Sequence, residues 1–298
     1  MPPILKIEKL VVAGVGLIGG SFALALKQAD LVGRVVGLGR TRRSLDRAVE
    51  LGAIDEAQED AAAALNGADL VMLAMPVGQT KAVLERIAGH LGPATVVTDA
   101  GSTKQDVIEA ARVALGAALP RFVPGHPIAG AESSGADAAR ADLFRGRKTV
   151  LTPLLDTDPG AVALVTAAWK ACGADVRAMP AAEHDGVFAA VSHLPHLLAF
   201  ALVHDLAGRH NAATLFDYAA SGFRDFTRIA SSHPEMWRDI CLANRERLGE
   251  ALERYRGELD SLQQLLASGD AAAIERIFAD ARAARNAWLA RLESGEGK

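Results

Sequence analysis

Cysteine is scarce in this sequence, with only Cys172 and Cys241 among 298 residues. Two thiols cannot build a disulfide framework or an all-cysteine zinc site. They are expected as small buried apolar residues in a reducing compartment. Aromatic residues make up 5% of the chain, and the only tyrosines are Tyr218 and Tyr255. A reductase built on a Tyr-x-x-x-Lys pair is excluded, because Gly222 and Leu259 stand where the lysine would be. Positive charge is not in excess either: 32 Lys and Arg against 36 Asp and Glu leave a net charge of −4. A general nucleic-acid binder needs a broad basic field, which this balance does not supply. No apolar run in the sequence approaches the ~20 residues that span a bilayer. Residues 1–9 hold no secretory apolar region. The expectation is a soluble, cytoplasmic protein with no nucleic-acid or membrane partner.

What is present is apolar and small. Half of the residues are hydrophobic, too many for a disordered chain. Alanine accounts for 59 residues, and 24 arginines stand against 8 lysines. Short β-branched runs at 10–13, 34–38, 70–74, 95–98, 121–123, 148–152 and 175–177 alternate with helical stretches at 20–29, 44–51, 78–90, 103–115 and 159–171. Alternation of this kind predicts an α/β domain over residues 1–180, a mostly parallel sheet with helices on both faces. From 181 the strand signals stop. Leu248, Leu252, Tyr255, Leu259, Leu262 and Leu266 recur at three- and four-residue spacing, an amphipathic stripe. Ser268-Gly269-Asp270 predicts a break before a last helix over 271–291. Residues 181–298 therefore read as an all-α domain, and part of its apolar surface is expected to pack on a second subunit.

Gly14-Val15-Gly16-Leu17-Ile18-Gly19 is a G-x-G-x-x-G between a predicted strand and a predicted helix. In that setting the first glycine permits the tight turn, the second lets the backbone approach a pyrophosphate, and the third permits close helix–strand packing. The helix N-terminus adds N–H groups and a positive dipole end. The fold class is thus expected as a Rossmann-type dinucleotide domain, the alternatives being a plain tight βα turn or a nucleoside methyltransferase using a similar turn. An NAD site places Asp or Glu about 20 residues beyond the glycines, on the adenosine ribose. Here Gly39 is followed by Arg40-Thr41-Arg42-Arg43, with no carboxylate before Asp46. Arginine forks suit a ribose 2′-phosphate, so NADP is favoured, with NAD as the alternative.

Further polar clusters follow in order. They are Asp99-Ala100-Gly101-Ser102-Thr103-Lys104, Gly125-His126-Pro127-Ile128-Ala129-Gly130-Ala131-Glu132, Glu183-His184-Asp185, Ser192-His193-Leu194-Pro195-His196, and Ser221-Gly222-Phe223-Arg224-Asp225-Phe226-Thr227-Arg228-Ile229 with the Pro234-Glu235-Met236-Trp237-Arg238-Asp239-Ile240 stretch after it. His193-x-x-His196 is not expected to hold a metal, because Pro195 interrupts the pair and a zinc site needs a third ligand at defined spacing. With the glycine turn, these motifs resemble the prephenate dehydrogenase family, which includes arogenate and cyclohexadienyl dehydrogenases. They span 14–244.

The resemblance implies oxidative decarboxylation of prephenate or arogenate in tyrosine biosynthesis. It makes His126 the base for the ring hydroxyl, with Ser102 orienting its ring. A neutral imidazole suits that task near pH 7. Arg228 would hold the ring carboxylate, His196 and Ser192 would line the substrate site, and Glu132 would gate it. The apolar surface of the helical domain leads to the expectation of a homodimer through that domain. Two alternatives are a 3-hydroxyacid-type dehydrogenase and a non-catalytic NADP-binding sensor. The first wants a catalytic lysine on a linking helix, and 181–205 contains none. The second leaves His126, Ser102 and Arg228 unexplained. The early glycine turn and the short tail predict no fused mutase or regulatory domain.

Overall fold

The computed structural model describes residues 6–130 and 135–294. The chain begins with β1 (Ile7–Ala13), α1 (Leu17–Gln28), β2 (Val32–Leu38), α2 (Arg42–Glu50) and β3 (Glu56–Gln58). It continues through α3 (Ala61–Leu65), β4 (Leu70–Leu73), α4 (Thr80–Ala88), β5 (Val96–Asp99), α5 (Gln105–Leu115) and β6 (Phe122–Val123). These six strands form one sheet in the order β3-β2-β1-β4-β5-β6, parallel throughout.

The continuous apolar runs follow from burial on both faces. Along β1, Leu10 and Val12 pack with Phe22, Leu26 and Trp169 on one side. Val11 and Ala13 pack with Leu65, Leu84 and Val107 on the other. This is the two-residue period of a strand. Trp169 closes the first face against Phe22 and Phe144, with ring centroids at 4.6 and 5.0 Å. Strand order reverses between β1 and β4, and a parallel sheet opens a ligand crevice at the carboxyl ends of the strands there.

A second sheet departs from the expected single one. It holds β7 (Gly125–Pro127), β8 (Lys148–Leu151) and, after α6 (Pro159–Ala171), β9 (Asp175–Ala178). β7 runs antiparallel to β8 and sets His126 opposite Val150, while β9 is parallel to β8. The strands at 148–152 and 175–177 are present, but they extend β7 and not the large sheet. β7 itself gave no signal, since three residues containing Gly and Pro carry no alternation.

The helical half comprises α7 (Ala181–Phe188), α8 (Leu194–Ala207), α9 (Ala212–Asp217), α10 (Ser221–Thr227), α11 (Pro234–Ala243), α12 (Arg245–Ser268) and α13 (Ala271–Ser294). A π turn at Ala189–His193 joins α7 to α8. The result is one 27-residue helical stretch, Ala181–Ala207, long and apolar enough by length and composition to cross a membrane. That corrects the expectation of no span-length run. The polar residues His184, Asp185 and His193 of this stretch are nevertheless buried.

Two compact units emerge, Met1–Arg245 and Glu246–Lys298. Helices 181–243 thus group with the sheets. α11 accounts for part of this, because Trp237 and Ile240 pack on Val77 beyond β4. In the second unit, Leu259, Leu266, Phe278, Trp288 and Leu292 are exposed in the single chain. The predicted break is there: Gly269 takes a positive φ of 68° and Asp270 accepts from the Ala273 N–H. Cys172 is buried and Cys241 partly so. Both are free, and burial pushes both thiols above their usual pKa.

Candidate active site

The glycine turn leaves β1 at the strand-order reversal. Gly14 has φ +93°, and a Cβ there would lie 2.7 Å from the Ala74 carbonyl oxygen. A Cβ on Gly19 would lie 2.3 Å from the Gly14 oxygen. Both positions therefore exclude any other residue. Gly16 has nothing within 4 Å of where its Cβ would be. It caps α1 with no side-chain hydrogen bond and no acidic residue in the first turn, so the first N–H groups of the helix face the crevice as an anion site. The residues present therefore fit a dinucleotide pyrophosphate. Helix α1 starts three residues earlier than expected, which places Gly19 within it.

A cavity of about 370 Å³ opens beside this turn. Gly16, Leu17 and Ile18 form one wall, Ala74–Val77 a second, and Gly101, Ser102 and His126 a third; Ser232, His233, Met236 and Ile240 close it. Arg40–Arg43 lie beyond β2, where α2 begins. All four residues are exposed, and Arg42 donates to Asp46 at 2.8 Å.

The D-x-x-S-x-K segment acts as a buried knot. Lys104 is fully buried, pairs with Asp99, and donates to the Gly125 carbonyl at 2.8 Å. Asp99 accepts from the Gly101 N–H at 2.8 Å and the Gly125 N–H at 3.0 Å. One ion pair thereby ties the end of β5 to the Ser102 turn and to β7. Ser102 and His126 arrive at the same cavity by this route. Ser102, implied to orient the His126 ring, makes no hydrogen bond to it; the ring's partner is His184. His126 Nδ1 lies 2.9 Å from His184 Nε2, and His184 Nδ1 lies 2.8 Å from Asp185 Oδ1. The ring also meets the edge of Phe188 at 4.8 Å. Burial, then the neighbouring His184, Lys104 and His193, hold His126 well below the ordinary histidine pKa. The ring is thus held neutral, with Nδ1 engaged by His184, and it lines the cavity.

The other predicted residues form a neighbouring cluster that does not line this cavity. His196 donates from Nδ1 to the Ser192 carbonyl at 2.9 Å and stacks on Trp237 at 3.6 Å. Burial, and to a lesser extent the charge of Arg228, lower its pKa. Arg228 itself starts the short turn after α10 and is exposed. His193 is buried against Asn244, which also donates to the Asp185 carbonyl at 2.8 Å. Both histidines are thus spoken for by protein groups, and among the described residues no three His, Cys, Asp or Glu side chains group as a metal site. Glu132 lies outside the described residues. His184, Asp185, Asn244 and His233 carry no role in the sequence motifs themselves. The adjacent His-Asp of the E-H-D motif was the one available signal.

A family model described as "Prephenate dehydrogenase, nucleotide-binding domain" matches residues 22–178, and its companion "Prephenate dehydrogenase, dimerization domain" matches 180–280. The chain belongs to the prephenate dehydrogenase family. Among its relatives, a prephenate dehydrogenase of Bacillus subtilis is 38% identical, over 92% of this chain and 74% of the relative. A cyclohexadienyl dehydrogenase of Zymomonas mobilis is 34% identical, over 93% and 95%. A crystal structure of prephenate dehydrogenase from A. aeolicus, in complex with hydroxyphenyl propionate and NAD+, superposes with TM-score 0.86 at 38% identity, covering 92% of this chain and 96% of that one. Synechocystis arogenate dehydrogenase gives 0.79 at 31% identity, over 94% and 99%. His126 and Ser102 share one cavity with the glycine turn of this family member.

Proposed function

We propose that this chain is a nicotinamide-dependent prephenate or arogenate dehydrogenase of tyrosine biosynthesis, acting in the cytoplasm. The observation that carries this reading is the neutral His126, with Nδ1 engaged, in a cavity shared with the glycine turn and Ser102. A nicotinamide held at the glycine turn would supply the acceptor for hydride from the hydroxyl-bearing ring carbon. His126 Nε2 accepts the hydroxyl proton as that hydride leaves. Loss of the ring carboxylate as CO2 then makes the ring aromatic. Residues 1–180 would bind the cofactor, and 181–298 would bind substrate and form the dimer. Dehydrogenation of prephenate and of arogenate, each with both cofactors, tests the reading. No turnover with either substrate overturns it.

Arg228 is the residue proposed for the ring carboxylate, supported by its charge acting on His196. An Arg228→Gln variant is expected to raise the substrate KM by about tenfold or more, the cost of a lost charge-assisted hydrogen bond. Its cofactor Kd should stay within about twofold of the parent. Equal losses in both would make the residue structural.

For the cofactor, NADP is proposed over NAD. The support is the absence of a ribose carboxylate at Gly39–Arg40 and the exposed guanidinium groups at the start of α2. The kcat/KM ratio is expected to favour NADP by about tenfold, the worth of one good charge-assisted contact. A tenfold preference for NAD removes the assignment. The exposed apolar residues of α12 and α13 support the homodimer, and sedimentation should give a mass twice that of the chain.

A further inference from the structure

We propose that His184 and Asp185 are positioning residues that fix His126 as its Nδ1–H tautomer and so keep Nε2 free to act as the base. This deepens the reading of His126 given above. The chain of contacts runs across three elements. Asp185 on α7 accepts from the Lys104 N–H at 2.8 Å and the Gln105 N–H at 2.9 Å, so the start of α5 holds its carboxylate in place. Asn244 fixes the backbone of the same residue through the Asp185 carbonyl. His184 is fully buried beside it.

The proton positions follow from donor and acceptor counting. A carboxylate only accepts. The Asp185 carboxyl stays below its usual range: burial acts to raise it, but the hydrogen bonds from His184, Gln105 and Lys104 outweigh that effect. His184 must therefore carry its hydrogen on Nδ1 to meet Asp185 Oδ1. Burial lowers the His184 pKa despite Asp185, so the ring is neutral and its Nε2 is an acceptor. The partner at 2.9 Å, His126 Nδ1, must then be the donor. Only one tautomer of neutral His126 satisfies this: hydrogen on Nδ1, lone pair on Nε2. The opposite tautomer would set two lone pairs against each other in a buried site and block proton uptake. When Nε2 takes the hydroxyl proton, no other proton has to move, and the new positive charge lies one imidazole away from Asp185.

The groups packed round the pair are Asp99 and Lys104 beneath β7, Asp106 on α5, and His193 with Asn244 on the far side. None of them offers His126 Nδ1 a hydrogen bond. The assignment to His184 therefore does not compete with another partner.

Two measurements test it. Nitrogen-15 NMR of histidine-labelled protein reports which ring nitrogen of His126 is protonated, with a His126→Asn sample for assignment. Nδ1–H is expected at neutral pH, and Nε2–H overturns the proposal. Steady-state kinetics then compare two variants. His184→Phe keeps the packing against Phe188 but removes the acceptor; kcat should fall by about 10- to 100-fold, part of what a general base contributes, with substrate KM within about threefold. His184→Gln restores a carbonyl acceptor and should recover most of the loss. A His184→Phe enzyme with near-normal kcat, or one that Gln does not rescue, refutes the positioning role. The tautomer spectrum of the unaltered protein decides the matter even if His184→Phe fails to fold. It also needs no turnover, so it separates failure of this inference from failure of the proposed activity.

Discussion

Replacing His126 by asparagine is expected to lower kcat by about 10² or more, the usual contribution of a positioned general base, while cofactor affinity stays near that of the parent. Asparagine is the informative choice. Its amide can still donate to His184 Nε2 from roughly the place of Nδ1, so the neighbouring ring keeps its partner. What disappears is the nitrogen facing the cavity. The pH profile adds a second check. Burial, followed by the electrostatic influence of the neighbouring His184, Lys104 and His193, lowers the His126 pKa. His184 and His196 are also lowered, and His193 is brought down to about 4, in each case mainly by burial. A base with a depressed pKa remains unprotonated as the pH falls through 6.5. The acid limb of kcat/KM in the parent enzyme should therefore lie below pH 6.5, and activity should hold level above it. An Asn variant with near-normal kcat, or a parent profile whose acid limb lies above pH 6.5, would remove His126 from the role of base.

The glycine turn was legible in the sequence because its constraint is local. Gly14 needs a positive φ and Gly19 has no room for a Cβ, and both demands follow from a strand feeding directly into a helix. The large sheet was legible for a related reason, since strands covered on both faces read as unbroken apolar runs. β7 was not. Its three residues carry no period, and only pairing with β8, more than twenty residues later, makes them a strand. The resemblance named His126 as the base, yet it assigned the orientation of its ring to Ser102. The partner found here, His184, is 58 residues away. No local pattern encodes such a contact; it depends on α7 crossing the start of α5. The split at 245 has the same origin, because the packing of Trp237 and Ile240 on Val77 joins segments about 160 residues apart.

The second large effect is expected at Lys104. Its ammonium has no solvent exposure, and the Asp99 side chain is only 3% exposed. Removing one member of a buried ion pair leaves an uncompensated charge, which costs about 3–5 kcal/mol. Lys104→Met should reach that range, since the thioether fills the stem but cannot donate to Asp99 or to the Gly125 carbonyl. The surface pair Arg42–Asp46 supplies the contrast. Its side chains are 60% and 50% exposed, and pairs of that kind are worth at most about 1 kcal/mol. Equilibrium urea unfolding of Lys104→Met and Asp46→Ala beside the parent should therefore separate the two by several-fold in lost stability. The consequence for activity follows from the same geometry. Asp99 and Lys104 hold both Gly101 and Gly125, so loosening the pair shifts Ser102 and His126 together. Folded Lys104→Met should lose kcat as well as stability, whereas Asp46→Ala should keep its kcat. A Lys104→Met protein destabilised by less than about 1 kcal/mol would mean that the pair is dispensable, and that backbone contacts alone position the base.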